Sequence, residues 1–105
     1  GCTEISEKQL LGKWSASSLK TDSTTYVQEV ESVILHIQPN NQYRFSGTLG
    51  YQEDGDYKLK DSFLLLQSHS SEENPIILKI KSIQQDTLII QMKGQQVLTF
   101  SQSGG

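Results

Sequence analysis

The chain consists mainly of short runs of alternating apolar and polar residues, and turn-forming residues separate these runs. In the run 42–46, for example, Tyr43 and Phe45 alternate with polar neighbours. A period of two places successive side chains on opposite faces of a β-strand. Convincing helical periodicity is confined to one short segment near the start of the chain. The sequence therefore predicts an all-β fold.

This pattern predicts eight strands. They are Lys13–Leu19, Glu31–Gln38, Gln42–Ser46, Asp56–Lys60, Phe63–Ser68, Ile76–Ile83, Thr87–Lys93 and Gln96–Gln102. Their spacing is typical of a sandwich or barrel, and the connections are too short for parallel crossovers. Pairing the last strand with the first would remove both exposed edges. We therefore predict an eight-stranded antiparallel up-and-down barrel, with an open, strongly twisted half-barrel as the alternative.

A short helical turn over Ser6–Leu11 is predicted to precede the first strand. Ser6 and Gln9 have the spacing of a capping box, in which each residue satisfies a backbone N–H of the other. Gly12 follows at the position where helices commonly end. The predicted organisation is a linker with a helical turn over 1–11, a barrel over 12–102 and a flexible tail over 103–105.

Composition limits the classes of function. With 105 residues the chain forms one domain, and 34% hydrophobic residues with a net charge of -3 favour folding over disorder. Nine basic residues against twelve acidic ones give no electrostatic footprint for nucleic acid. No apolar run approaches the roughly 20 residues of a membrane-spanning helix.

Cys2 is the single cysteine, which excludes an internal disulfide and a zinc–thiolate cluster. Its position matches the start of a mature bacterial lipoprotein, whose first cysteine carries the lipid. Gly1 would then be the residue before the cleavage site, and the alternative is a free thiol behind the remnant of a cleaved tag. We predict lipidation of Cys2 and a lipid-anchored location in a bacterial cell envelope, in the outer membrane or on the periplasmic side.

Gly12-Lys13-Trp14, at the opening of the first strand, resembles the G-x-W motif of lipocalins. The runs Ile37–Phe45, Gly55–Leu59 and Asp86–Ile90 resemble the small lipocalin-like domains of Bacteroidetes lipoproteins. The resemblance covers about residues 8–102. It implies a lipocalin-like barrel in which Trp14 is structural and packs across the closed end.

The chain departs from the lipocalin pattern in two places. Gln85-Asp86-Thr87 stands where the family has a T-D-Y motif, and the segment Thr99–Ser103 lacks the arginine expected near the end of the last strand. Ligand binding is therefore not carried over from the family and has to be argued from the residues of this chain.

The connections of the predicted meander differ between its two ends. Tight turns share the end of Trp14, whereas the long loops Lys20–Val30, Gly47–Gly55 and His69–Pro75 share the other end, which is the expected mouth. Function on rigid β-scaffolds tends to lie on long loops, although the loops could also be tolerated insertions. The candidate ligand-binding residues there are Tyr26, Tyr51 and His69, each of which could equally be ordinary loop packing.

The predicted mouth is acidic and its lumen narrow. The long loops carry Asp22, Glu29, Glu53, Asp54, Glu72 and Glu73. Such a rim attracts cationic partners and repels anionic ones. The bulky side chains predicted to point inward are Tyr43, Phe45, Tyr57, Phe63, Met92 and Phe100. They are expected to fill most of the lumen and to leave a shallow pocket at the mouth.

No enzymatic constellation emerges from the sequence. His36 lies within a predicted strand and points outward, and His69 with Glu72 and Glu73 is weak evidence for a metal site. We predict no catalytic residue, no cofactor and no metal. The predicted function is a monomeric, non-enzymatic envelope lipoprotein that binds a small apolar or amphipathic ligand at the mouth. The alternatives are a protein-interaction module, such as an inhibitor of a basic envelope hydrolase that presents the acidic loops, and a purely structural surface lipoprotein.

Overall fold

The computed structural model describes residues 5–27, 30, 32–70 and 74–102. A single four-residue helix, α1 (Glu7–Leu10), precedes the strands of one sheet. The strands are β1 (Gly12–Lys20), β2 (Thr25–Tyr26), β3 (Ile34–Gln38), β4 (Gln42–Ser46), β5 (Gln52–Lys60), β6 (Phe63–Ser68), β7 (Ile76–Gln84), β8 (Thr87–Met92) and β9 (Gln96–Gln102). In this described part of the chain no helix has the length and apolarity needed to cross a membrane.

The sheet closes on itself, so the fold is the predicted antiparallel barrel and the half-barrel alternative is wrong. Each strand from β3 to β8 pairs with the next, and β9 returns to pair with β1 from Trp14↔Gln102 to Lys20↔Val97. The other edge of β1 pairs first with β3 and then with β2. The ring thus consists of eight strands, β1 and β3 to β9. The two-residue β2 lies within the predicted loop Lys20–Val30 and pairs with the end of β1, beyond the part of β1 that pairs with β3.

Most strand boundaries match the prediction within one residue, but β5 begins four residues earlier than predicted. Its first residues pair with β4, with Glu53 opposite Phe45 and Asp54 opposite Arg44. The predicted loop Gly47–Gly55 is therefore reduced to residues 47–51, which contain a 3-10 turn at Thr48–Gly50. β3 begins at Ile34 rather than at position 31, which lies outside the described residues.

The core fills the barrel from the inward face of each strand. The apolar run of β6 divides between the two faces: Leu64 and Leu66 point inward, whereas Phe63 is 40% exposed. Phe63 pairs with Lys60 and Lys79 on the outer face, so its predicted inward position is wrong. The buried core residues are Leu10, Trp14, Ala16, Val30, Leu35, Ile37, Tyr43, Tyr57, Leu64, Leu66, Ile80, Leu88, Ile90 and Phe100.

One end of the barrel is closed by α1 and by the tight turns that follow β3, β5 and β7; we call it the closed end. Trp14 is fully buried, and its indole Nε1–H donates a hydrogen bond of 2.8 Å to the carbonyl oxygen of Leu10. Gln9 Oε1 accepts the Ser6 N–H at 2.9 Å, as the capping box predicts. Trp14 therefore joins α1 to the first strand.

Gly12 allows the chain to pass from α1 into β1. Its φ is +124°, a value that residues with a side chain rarely adopt. A Cβ at this position would also lie 2.5 Å from Gln102 Nε2, which donates a hydrogen bond of 3.0 Å to the Leu11 carbonyl oxygen. Glycine at position 12 thus lets β9 secure the start of β1.

Candidate ligand pocket

The opposite end, which we call the open end, holds a pocket of about 150 Å³ inside the barrel. Side chains from seven strands, β3 to β9, line it. They are Leu35, Phe45, Glu53, Leu66, Ile76, Leu78, Ile90, Met92, Leu98 and Phe100. All except Glu53 are apolar, so the pocket is a hydrophobic space with one carboxylate in its wall.

The pocket exists because the bulky residues do not all reach this end of the lumen. Tyr57 is buried and does not line the pocket, whereas Phe45, Met92 and Phe100 form part of its wall. Phe63, which was predicted to help fill the lumen, lies on the outer surface. The lumen therefore keeps a small apolar space near the open end.

Glu53 is oriented by two tyrosine hydroxyls. Tyr43 Oη–H donates to Glu53 Oε2 at 2.6 Å, and Tyr51 Oη–H donates to Glu53 Oε1 at 2.6 Å. The Tyr51 ring in turn packs edge-on against Phe45, with ring centroids 6.0 Å apart. Each carboxylate oxygen thus has its own donor, which fixes the side chain at the pocket wall.

The strand register explains why Glu53 faces the lumen. Residues directly opposite each other in an antiparallel pair share a face, and Glu53 is opposite the inward-facing Phe45. Two residues further along each strand, Tyr43 is opposite Gly55. A Cβ on Gly55 would collide with the Gln67 carbonyl oxygen and would lie 2.7 Å from Tyr43 Cε1. Because Gly55 has no side chain, the Tyr43 ring lies close over β5 and its hydroxyl reaches Glu53.

The surroundings of both hydroxyls keep them protonated. Burial raises the pKa of Tyr43 well above its usual value, and the hydrogen bond to the Glu53 carboxylate raises it further. The pKa of Tyr51 is raised as well, mainly by its hydrogen bond to Glu53. At neutral pH both groups are therefore hydrogen-bond donors to Glu53.

The candidate mouth residues do not form one site. Tyr51 contacts Glu53 at the pocket wall, whereas Tyr26 lies on β2 with its side chain exposed. His69 Nε2 is 3.1 Å from Asp56 Oδ1 on the outer face of β5. Neither Tyr26 nor His69 lines the pocket. Their role as ligand-binding residues at the mouth stays a prediction.

Several predicted residues lie outside the described part of the chain. These are Cys2, Glu29, Glu72 and Glu73. The group of His69, Glu72 and Glu73, which is weak evidence for a metal site, therefore lies partly outside the described residues, and within the described ranges no three His, Cys, Asp or Glu residues converge as metal ligands. Asp54 lies on the outside of β5, where its Oδ1 is 4.0 Å from Arg44 Nε in an exposed pair.

The sequence reasoning missed Glu53 as a wall residue because it assigned this position to a loop. Glu53 nevertheless continues the inward series Gly55, Tyr57 and Leu59 with a period of two. Extending that alternation backward along the chain would have placed the carboxylate inside the barrel.

Two larger grooves lie on the outside of the barrel. One, of about 510 Å³, includes Asn40, Asn41 and Lys58, and the other, of about 790 Å³, includes Gln9, Gln84 and Asp86. The second is lined largely by polar side chains, whereas the first also includes Tyr57, Leu65 and Pro75 beside its polar residues, and both are more open to solvent than the lumen pocket. They lack the enclosed apolar walls that characterise small-molecule sites, so the lumen pocket is the stronger candidate.

Comparison with known proteins identifies the fold. No protein-family model and no curated protein matches the chain. A lipocalin-like protein from Bacteroides uniformis superimposes with a TM-score of 0.74 at 19% identity, over 90% of this chain and 98% of that one. An uncharacterized protein from Bacteroides eggerthii gives a TM-score of 0.67 at 16% identity, over 88% of this chain and 98% of that one. The fold is therefore a lipocalin-like barrel, as the G-x-W resemblance implies.

Proposed function

We propose that this chain is a non-enzymatic binding protein that takes the apolar part of a small amphipathic molecule into the lumen pocket. The observation that carries the proposal is the lining: nine of the ten side chains around the 150 Å³ space are apolar. Binding of a hydrophobic group in such an apolar pocket is favourable, because it removes apolar surface of both the ligand and the pocket from water. The lipocalin-like barrel supports a ligand-binding role of this general type.

The volume of the pocket limits the ligand. An apolar cavity of about 150 Å³ is known to hold one benzene molecule. The buried part of the ligand is therefore one aromatic ring or a short alkyl group, and a long acyl chain would not fit inside. A larger ligand would leave the rest of its surface at the open end.

Exposed apolar side chains at the open end suit an amphipathic ligand. Val27, Leu49, Tyr51 and Ile76 are all more than half exposed, and all lie in or beside the connections at this end. Part of a ligand that protrudes from the lumen can pack against them. This arrangement favours a ligand with both a buried and a surface-bound portion.

The same exposed residues favour one alternative, a protein-interaction module that acts on an envelope hydrolase. The version that relies on acidic loops is weakened, because Glu53 points inward and Asp54 lies on a strand beside Arg44. A partner protein would instead cover Leu49 and Tyr51. Binding of such a partner without any small-molecule binding in the lumen would support this alternative.

We further propose that Cys2 carries a lipid in a bacterial envelope. α1 lies at the closed end, and Cys2 precedes it by only a few residues. A lipid there would hold the closed end near the membrane and leave the pocket facing away from it. Mass spectrometry of the protein from its native membrane should find an acylated Cys2, and an unmodified cysteine would contradict this part of the proposal.

Methyl NMR with benzyl alcohol tests ligand binding. The methyl signals of Leu66, Ile90 and Leu98 should shift on titration because these side chains line the lumen. Leu98→Trp should fill the pocket and abolish the shifts. Ile77→Trp is the matched control, because Ile77 is exposed on the outer face of β7 and the substitution should leave binding intact. Binding that survives Leu98→Trp, or shifts confined to the outer face, would overturn the proposal.

A further inference from the structure

We propose that Glu53 makes the lumen pocket selective for ligands whose polar end is an ammonium group or another strong hydrogen-bond donor, and that carboxylic acids are rejected. This inference rests on the proposed function and specifies its ligand class. It is carried by the position of one carboxylate in a wall that is otherwise apolar.

The Glu53 carboxylate has no cationic partner among the described side chains. The ion pairs of the described ranges join Arg44 to Asp54 and His69 to Asp56, both through exposed side chains. Glu53 is partly buried, and its hydrogen-bond donors are two neutral hydroxyls. Its negative charge is therefore available to a ligand.

The two tyrosines leave lone pairs of the Glu53 carboxylate open to a ligand. Their own hydroxyl protons are not available to a ligand, because both already donate to Glu53. A carboxylate offers about four lone-pair positions, and Tyr43 and Tyr51 occupy one on each oxygen. An incoming N–H or O–H can use the remaining positions. The hydroxyl protons already point at Glu53, so an anionic head group would find no free donor there and would lie against a like charge.

The two hydroxyls also hold the carboxylate in place before a ligand arrives. A fixed partner costs less conformational entropy on binding than a mobile surface glutamate would. The apolar walls reduce solvent screening around Glu53, which strengthens its attraction for a cation. A molecule that inserts a ring into the lumen and places an ammonium group at Glu53 uses both features at once.

Three probes that share one ring test the selectivity: benzylammonium, benzyl alcohol and benzoate, titrated at pH 7 by methyl NMR. Benzylammonium should bind on the order of tenfold more tightly than benzyl alcohol, because both its donor and the Glu53 acceptor carry a charge, whereas the alcohol donor is neutral. Benzoate should bind most weakly. Glu53→Gln should remove the preference for ammonium, so that benzylammonium and benzyl alcohol bind within about twofold of each other. Continued shifts of the Leu66 and Ile90 methyl signals on titration would show that the pocket is intact.

Asp54→Asn is the matched control, because it removes the neighbouring negative charge from the outer face of the same strand. It should leave the preference for ammonium within about twofold of the original. Equal affinity for the three probes, a preference for benzoate, or an equal loss of selectivity in both variants would overturn the inference while the proposed function stands. If none of the probes binds in the lumen, the proposed function fails as well.

Discussion

At the level of single residues, the pocket depends on the cross-strand partners of Glu53 and Tyr43. Phe45 opposite Glu53 turns the carboxylate inward, and Gly55 opposite Tyr43 admits the tyrosine ring. Both hydroxyl bonds to Glu53 measure 2.6 Å. A buried neutral hydroxyl thus stabilises a partly buried charge, and the arrangement responds to pH through the tyrosine.

Alkaline unfolding tests this arrangement. Burial and the bond to Glu53 raise the pKa of Tyr43 above the value near 10 that it has in the unfolded chain. Above pH 10 the unfolded chain has lost this proton while the folded protein keeps it, so the free energy of unfolding falls as pH rises. One such group contributes a slope of at most about 1.4 kcal/mol per pH unit.

Urea unfolding at pH 9, 10 and 11 should therefore show a steeper loss of stability for the original protein than for Tyr43→Phe. The variant starts from a lower stability because it lacks the hydrogen bond to Glu53. Parallel losses in the two proteins would contradict the raised pKa.

At the level of elements, β5 is where sequence and structure differ most. The segment 52–55 combines polar residues with a glycine, which is the composition of a turn. Pairing with β4 overrides this preference, because Ser46↔Gln52 and Arg44↔Asp54 continue the ladder. Local composition cannot show that a partner strand is present. The start of β5 at Gln52 and the inward position of Glu53 were therefore not predicted.

Gly55→Ala tests the close approach of β5 and β6. A Cβ there would meet the Gln67 carbonyl oxygen and the Tyr43 ring, so we expect a loss of about 2–3 kcal/mol in the free energy of unfolding. Gly47→Ala is the control, because its Cβ would have no neighbour nearer than 3.6 Å and should change stability by less than about 0.5 kcal/mol. Equal urea midpoints for the two variants would show that Gly55 is not constrained as described.

The link between α1 and β1 was predicted more completely. The order Ser6, Gln9, Gly12 and Trp14 contains the capping box, the helix end and the lipocalin-like motif within nine residues. Local spacing was sufficient for the capping box and the helix end because these contacts are between neighbours in sequence, whereas the structural role of Trp14 was implied by the resemblance to lipocalins. The strands β6, β8 and β9 were predicted for the same reason, since alternation and turn residues bound them locally.

Trp14→Phe should weaken this link. The variant leaves the Leu10 carbonyl oxygen without its donor and opens a small cavity at the closed end. We expect a loss of about 2–4 kcal/mol from these two effects together. Phe63→Leu, at an exposed position, should cost less than about 0.5 kcal/mol in the same urea experiment. A Trp14→Phe variant as stable as the original would show that the indole does not secure α1.

At the level of the whole molecule, closure of the sheet makes the two ends of the barrel different. Irregularities in register at Ala16/Ser18 in β1 and at Ile80/Ser82 in β7 help the strands to curve, since bulges bend a sheet locally. Closure brings β3 to β9 around one apolar space, which no single strand could form. The alternation of the strands predicted the barrel, but the pocket depends on how side chains from seven strands share the lumen.

The most direct test of the central claim, that an apolar pocket opens at one end of a closed barrel, is a crystal structure determined under xenon pressure. Xenon enters apolar cavities of about this volume without needing a polar partner. We expect a xenon atom among Leu66, Ile90 and Leu98 at the open end, inside a sheet closed by the pairing of β1 with β9. A lumen filled by side chains, or xenon bound only on the outer surface, would contradict the account.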